Sequence, residues 1–324
     1  MPESRSSSLR HWEAYYRGGA LASCPLGPQS GYTLELRDIW LEFFAALPDG
    51  ARIVDIGTGN GAIALIAAQA AAAAAKRFEI HGTDLAQIDP VRDVQDGPRL
   101  FAGIRFHPQV ATERLPFESA SFDAASGQYA LEYTDPDRSL PEIHRILKPG
   151  GVAQFVLHHA DSIVARNARE SLGHSALVLE DSKVLRRLRR LLEAERRSQA
   201  AVRTSRESLA AALETLARSA RLSANPLTLN VTIDAIRKLM QARGQLTPAA
   251  LDREIDRFEG DLRAAARRLE DLVRCGQTQA QIERIVERAR TTGFRADEAQ
   301  LQHHGGGHLV GWRLCLVRQD GAAR

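Results

Sequence analysis

Short apolar runs and amphipathic stretches alternate through the first half of the chain. Near-continuous apolar or small-residue runs at 51–56, 79–83, 104–106, 121–126 and 152–157 read as strands buried on both faces. Between them, residues 60–75 and 136–147 read as helices. Before them, residues 33–46 place Leu36, Ile39, Trp40, Phe43 and Phe44 at helical spacing and stop ahead of Pro48. Strands alternating with helices predict a parallel sheet covered on both sides. Residues 1–10, with Pro2 and the polar run from Ser4 to Ser8, read as disordered; a short helix carrying Trp12, Tyr15 and Tyr16 is expected just after them.

The strand signal vanishes from about 162 to 276, where Ala, Leu, Arg and Glu dominate. Leu185, Leu188, Leu191 and Leu192 mark one helical face. Leu251, Ile255, Phe258, Leu262, Ala265, Leu269 and Leu272 repeat at three- and four-residue steps over 248–274. Breaks fall near Asn225-Pro226 and over 244–248. This stretch is expected to be an all-helical insertion whose helices bury each other. Core patterning then returns as a helix at 280–291, closed by Gly293-Phe294, and strands at 298–302 and 309–317 around His303, His304, a triglycine and His308. Four segments result: a flap at 1–48, a core at 49–161, the insertion at 162–276, and a helix with a β-hairpin at 277–324.

Charge is uneven. The chain carries +3 overall, but 22 basic and 15 acidic residues between Arg166 and Gly276 give that segment +7 and leave −4 elsewhere. Its basic residues alternate with Glu and Asp at helix-pair spacing without interleaved aromatics, the pattern of a solvated helical face rather than a nucleic-acid surface. Cys24, Cys275 and Cys315 are an odd set without C-x-x-C spacing, which opposes a disulfide framework or structural zinc and favours a reducing, cytoplasmic setting. No apolar run is long enough for a membrane span, and residues 1–10 lack the apolar core of a signal peptide.

Candidate chemistry begins at Val54-Asp55-Ile56-Gly57-Thr58-Gly59-Asn60-Gly61-Ala62, a strand running through glycines into an alanine-rich helix. Glycines let backbone approach a ligand closely, and the helix start offers free N–H groups. Gly57, Gly59 and Ala62 also fit a dinucleotide fingerprint, with Asp84 placed as a ribose-binding acid.

The company of this loop matters. His81-Gly82-Thr83-Asp84-Leu85, then Leu115-Pro116-Phe117 with Ser121-Phe122-Asp123, then Ile146-Leu147-Lys148-Pro149-Gly150-Gly151 follow it in order. Together the blocks resemble the class I S-adenosylmethionine-dependent methyltransferases over about residues 50–160, resuming near 280. The resemblance implies an α/β, doubly wound, mostly parallel seven-stranded Rossmann-like sheet with its last strand antiparallel, and here a large helical insertion after strand 5. It implies S-adenosyl-L-methionine as cofactor and S-adenosyl-L-homocysteine as product, held by Tyr16, Asp55, Gly57, Thr58, Gly59, Gly61, Asp84, Leu85, Thr112, Glu113 and Gln128. One position departs: many relatives carry an aspartate four residues before Leu-Pro-Phe for the adenine amino group, and this chain has Ala111, so Thr112, Glu113 or backbone must serve.

The expected activity is methyl transfer to an O or N atom of a small molecule, with the insertion as substrate cap or homodimer surface. His158 or His159, at the end of the fifth strand, is the candidate base; Tyr129, Tyr133 and His304 are candidate acceptor contacts. No metal is expected, because the hairpin histidines lack an adjacent carboxylate or thiol ligand. Alternatives are an RNA or protein methyltransferase docking through the basic insertion, a cofactor-binding protein without chemistry, and, more weakly, a nicotinamide dehydrogenase.

Overall fold

The computed structural model describes residues 3–22, 31–197 and 199–319. Cys24 lies outside the described residues. Helix α1 spans Glu3–Arg17 and α2 spans Leu34–Ala45. Residues 3–10, read as disordered, belong to α1: serines form helix weakly but do not break it, and no Gly or Pro interrupts 3–17.

Then come β1 (Arg52–Ile56), α3 (Ala62–Ala73), β2 (Glu79–Thr83), the short helices α4 (Pro90–Asp93) and α5 (Gly97–Leu100), β3 (Ile104–His107) and β4 (Phe122–Gln128). A 3-10 turn, Leu131–Tyr133, leads to α6 (Pro136–Ile146) and β5 (Leu147–His158). β1 to β5 form a parallel sheet in the order β3-β2-β1-β4-β5.

β5 begins earlier than its apolar pattern implied. Leu147 pairs with Phe122 and Val152 with Ala124, so Lys148 to Gly151 loop out between two paired positions. Lys148 Nζ donates to both carboxylate oxygens of Asp123 at 2.8 Å across this bulge.

Strand alternation divides the core. Ile53, Ile80, Ala124 and Val156 face Trp40, Phe44, Ile63 and Ile66 of α2 and α3, while Val54, Ala125, Phe155 and Leu157 face Leu140, Ile143 and Ile146 of α6 on the other side. Full burial of both faces is why these strands read as apolar runs.

Five helices follow: α7 (Ile163–Ala176), α8 (Val184–Arg197), α9 (Gln199–Leu222), α10 (Leu227–Ala242) and α11 (Pro248–Cys275), with a π turn over Leu177–Asp181. The chain divides into two compact units, Met1–Ala165 with Arg274–Arg324, and Arg166–Val273. The second has its own core, built on Leu185, Leu188, Leu191, Leu216, Leu229, Ile236 and Ile255. Its arginines meet acids within the unit: Arg189 reaches Asp256 and Glu259, Arg206 and Arg243 reach Glu195, and Arg263 reaches Glu259.

The chain closes with α12 (Gln279–Thr292), β6 (Phe294–Ala296), β7 (Gln300–His304) and β8 (His308–Arg318). β8 lies antiparallel to β5, and its other edge takes β6 at one end and β7 at the other. The expected seven strands become eight because the strand before the last is split at Asp297 to Ala299. Phe294–Ala296 escaped the sequence reading, since three residues beside a helix-ending glycine carry no alternation.

No helix among the described residues is long and apolar enough to cross a membrane. Among the described residues no group of three or more His, Cys, Asp or Glu side chains is placed to hold a metal ion.

Candidate functional site

The carboxyl ends of β1, β2 and β4 converge on the glycine loop. Gly57, Gly59 and Gly61 all have positive φ, and the first two close to the left-handed helical value. A Cβ on Gly59 would stand 2.6 Å from the Tyr16 ring, and one on Gly61 would stand 2.8 Å from the Phe106 ring. Glycine is therefore required here by backbone conformation and by neighbouring rings together.

Asp55 anchors the loop. Its Oδ2 accepts the Thr58 hydroxyl at 2.6 Å and its Oδ1 accepts the Ser126 hydroxyl at 2.8 Å. Burial raises its carboxyl to about 7 against these two stabilising bonds, and the neighbouring Asp84 carboxylate pushes the same way. Asp84 follows β2 directly; its Oδ2 accepts Gly59 N–H and its Oδ1 accepts Ala86 N–H, each at 2.8 Å. Desolvation lifts it to about 6. Each Asp84 oxygen keeps a lone pair for a ligand hydroxyl.

The cleft, about 290 Å³ counted out into open solvent, has a lining that includes Tyr16, Tyr32, Asp55, Gly59, Asn60 and Gln128. Two amides in that lining are half satisfied. Asn60 Nδ2 donates to the carbonyls of Tyr16 and Ala20 at 2.8 Å, and its buried Oδ1 has no partner among the described residues. Gln128 Oε1 accepts the Trp40 indole N–H at 2.5 Å, and its buried Nε2 has no such partner. One acceptor, one donor and the Asp55 carboxyl thus line the cleft, with the Asp84 carboxyl bonded to Gly59 of the same lining. That set suits a ligand carrying an ammonium, a carboxylate and a ribose diol, as the amino-acid and sugar parts of S-adenosylmethionine do.

Aromatic rings continue the wall. Trp12 stacks on Tyr16 at 6.1 Å and meets Tyr133 edge-on at 5.9 Å. Tyr32 meets Tyr129 edge-on at 6.4 Å, and Tyr129 lies flat against His158 at 3.8 Å.

The sequence candidates separate into groups. Tyr16, Asp55, Gly57, Thr58, Gly59 and Gln128 line the cleft together; Gly61 is the α3 N-cap and Asp84 holds Gly59 from below. Thr112 is buried. Leu85 is 46 % exposed, so only its backbone adjoins Asp84. Glu113 Oε1 accepts the Asp135 N–H at 3.1 Å, tying down the start of α6.

Strand alternation parts the two histidines. His158 stays beside Tyr129, whereas His159 turns to the opposite face, stacks on Trp312 at 4.7 Å and accepts Asp161 N–H at Nδ1. Burial drives the His158 imidazole down to about 3, leaving it neutral and a weak base. His304 pairs with Glu35 at 3.2 Å, next to the Gly305 N–H that donates to the same carboxylate, while His303 and His308 are exposed.

Asn60, Ser126, Tyr32 and Trp40 were missed. Asn60 sits inside the glycine motif and Ser126 lies near the carboxyl end of the strand beside Asp55, so their positions were a signal. Tyr32 and Trp40 had none, because only the fold brings α2 and the residues just before it to the cleft.

The methyltransferase domain family matches residues 54–155. An uncharacterized methyltransferase of Mycobacterium tuberculosis is 29 % identical over 116 residues, covering 36 % of this chain and 43 % of the relative. The demethylmenaquinone methyltransferase of Chlorobaculum parvum is 28 % identical over 106 residues, covering 32 % and 40 %. The chain thus spans less than half the length of these curated relatives. Among solved structures, the cyclase SpnF is similar with a TM-score of 0.37 at 25 % identity, covering 49 % of this chain and 60 % of that one. Geranyl diphosphate methyltransferase in complex with SAM gives 0.33 at 21 %, covering 38 % and 48 %.

Proposed function

We propose that this chain, whose residues 54–155 match the methyltransferase domain family, is a class I S-adenosylmethionine-dependent enzyme that transfers a methyl group from that cofactor to an oxygen or nitrogen atom of a small molecule. The observation that carries the reading is the buried Asp84 carboxyl, joined through Gly59 to a glycine loop that lines a cleft whose unmatched polar atoms suit a nucleoside bearing an amino acid. Bound S-adenosylmethionine would supply a methyl on a positively charged sulfur, which leaves as neutral S-adenosylhomocysteine.

The chain's residues then have distinct tasks. Asp84 accepts the ribose diol. Asn60 Oδ1 accepts the ammonium and Gln128 Nε2 donates to the carboxylate. Asp55, held by Thr58 and Ser126, fixes the loop from which Gly57 and Gly59 offer backbone. Tyr16, seated over Gly59, closes the cleft from above and excludes water. Because charge is lost in the transfer, a dry, positioned site accelerates it without a strong base. His158, neutral at pH 7, serves as a hydrogen-bond acceptor for the methyl acceptor. Thr112 and nearby backbone take the adenine edge, since Ala111 offers no carboxylate.

The pairing of arginines with acids inside the helical unit supports a small molecule over a nucleic acid as substrate. The test is incubation with methyl-deuterated S-adenosylmethionine and panels of phenols, quinols, amines and short RNAs, read by mass spectrometry. Label in a small molecule, with matching S-adenosylhomocysteine, is expected. Label in RNA alone would overturn the acceptor class.

A further inference from the structure

Beyond the cofactor cleft, at the turn leaving β4 and the end of β5, two more polar atoms are buried without partners among the described residues: Glu132 Oε2 and His158 Nδ1. Glu132 is 7 % exposed and His158 1 %. The carboxyl is not loose, because Glu132 Oε1 accepts the His158 backbone N–H at 2.8 Å. The imidazole is not loose either. It lies parallel to the Tyr129 ring within 5° and meets Tyr133 edge-on at 6.3 Å.

Tyr129 sits between this pair and the cleft. Its ring touches Tyr32, which lines the cleft, and its backbone is held at φ +56°, a left-handed conformation that a bulky side chain rarely adopts. Each orphaned buried polar group adds a desolvation cost with no bond to offset it. Packing alone would be served better by Leu and Phe at 132 and 158. Two unmatched atoms on side chains held in place, linked to the cleft lining through the Tyr129 ring, are the arrangement of a polar binding seat.

We infer that Glu132 and His158 form the polar seat of the methyl acceptor, and that they take an uncharged hydroxylated ring of the phenol or quinol class; the inference rests on the methyltransferase reading above. A hydroxyl suits either atom, because it can accept from a carboxylic acid at Glu132 and donate to a neutral imidazole at His158. Charge supports the assignment. Burial holds the Glu132 acid up to about 8 with no cation opposing it, and holds the imidazole neutral. A cationic acceptor would need a carboxylate here and an anionic one an imidazolium. The flat His158–Tyr129 pair and the edge of Tyr133 present ring surfaces to a planar partner.

The experiment uses the full chain. S-adenosylhomocysteine is titrated first, by calorimetry; its failure to bind rejects the methyltransferase reading itself. With it bound, catechol, benzoate and benzylamine are titrated by saturation-transfer NMR into wild type, Glu132→Gln and Glu132→Leu. Catechol should bind wild type in preference to both charged rings. Gln keeps the oxygen that accepts the His158 N–H and places an N–H donor where the acid has O–H, so Glu132→Gln should bind catechol within about threefold of wild type. Glu132→Leu should weaken catechol roughly tenfold or more while leaving S-adenosylhomocysteine unchanged. Preference for a charged ring, or failure of catechol to bind wild type, would overturn the inference without any variant. So would loss of catechol in Glu132→Gln, or its undiminished binding to Glu132→Leu.

Discussion

Replacing Asp84 by Asn separates binding from stability. In the wild type both carboxylate oxygens accept backbone N–H groups, from Gly59 and Ala86. An Asn can accept one and must turn its amide toward the other, so a loop bond is lost as well as the charge. Two charge-assisted bonds to a ribose diol become at best one neutral bond, a loss of roughly 2 to 3 kcal/mol or about 30- to 150-fold in Kd for S-adenosylhomocysteine.

Stability should move the other way. The folded carboxyl is raised from 3.8 to about 6, chiefly by desolvation. A raised acid binds its proton more tightly folded than unfolded, so its contribution is intact below pH 3.8 and is lost as pH climbs through about 6. The loss is on the order of 3 kcal/mol above that. Asp84→Asn removes it, and also relieves the repulsion that helps to raise Asp55. Without ligand, the variant should therefore melt no lower than wild type at pH 7.5, with a flatter dependence of melting temperature on pH between 4 and 7. Isothermal titration and pH-resolved calorimetry read the two effects. Unchanged affinity would refute the ribose assignment, and a variant that melts several degrees lower at pH 7.5 would refute the desolvation argument.

Three further outcomes follow from other residues. Asn60→Ala removes both the amide that holds the Tyr16 and Ala20 carbonyls and the oxygen offered to the ammonium, so stopped-flow dissociation of S-adenosylhomocysteine should quicken on the order of tenfold; an unchanged rate would remove Asn60 from the site. Gly59→Ala puts a methyl 2.6 Å from the Tyr16 ring at φ +52°, and cofactor affinity should fall below detection in calorimetry while circular dichroism stays that of a folded chain; retained affinity would remove the loop from the site. His158, Phe-substituted, tests the opposite pH sign. Its folded value is depressed to about 3, so its contribution is intact above about 6.5 and is lost as pH falls toward 3, and His158→Phe should melt at a temperature less sensitive to acid over that window; equal sensitivity would refute the buried neutral imidazole.

Much of the molecule is written locally. The five parallel strands and the helices between them follow from apolar runs that both faces of the sheet bury, and the breaks at Asn225-Pro226 and 244–248 fall where α9, α10 and α11 are separated. The glycine loop and Asp84 are legible because a strand, a positive φ and an acid at a strand end are each fixed by adjacent residues. What was hidden depends on tertiary meeting. Trp40 reaches Gln128 across 88 residues, Tyr32 joins the Tyr129 wall, and the bulge at Lys148 to Gly151 is visible only once Asp123 is beside it. The separation of His158 from His159 needed no more than strand alternation. The orphaned oxygen of Glu132 could not be foreseen, because burial without a partner is a property of the packed molecule.

The central claim rests most directly on calorimetric titration of the full chain with S-adenosylmethionine, S-adenosylhomocysteine and NADH, after mass spectrometry for co-purified ligand. Both sulfur nucleosides should bind in the micromolar range and NADH should not. Binding of NADH alone, or of none of the three, would contradict the claim.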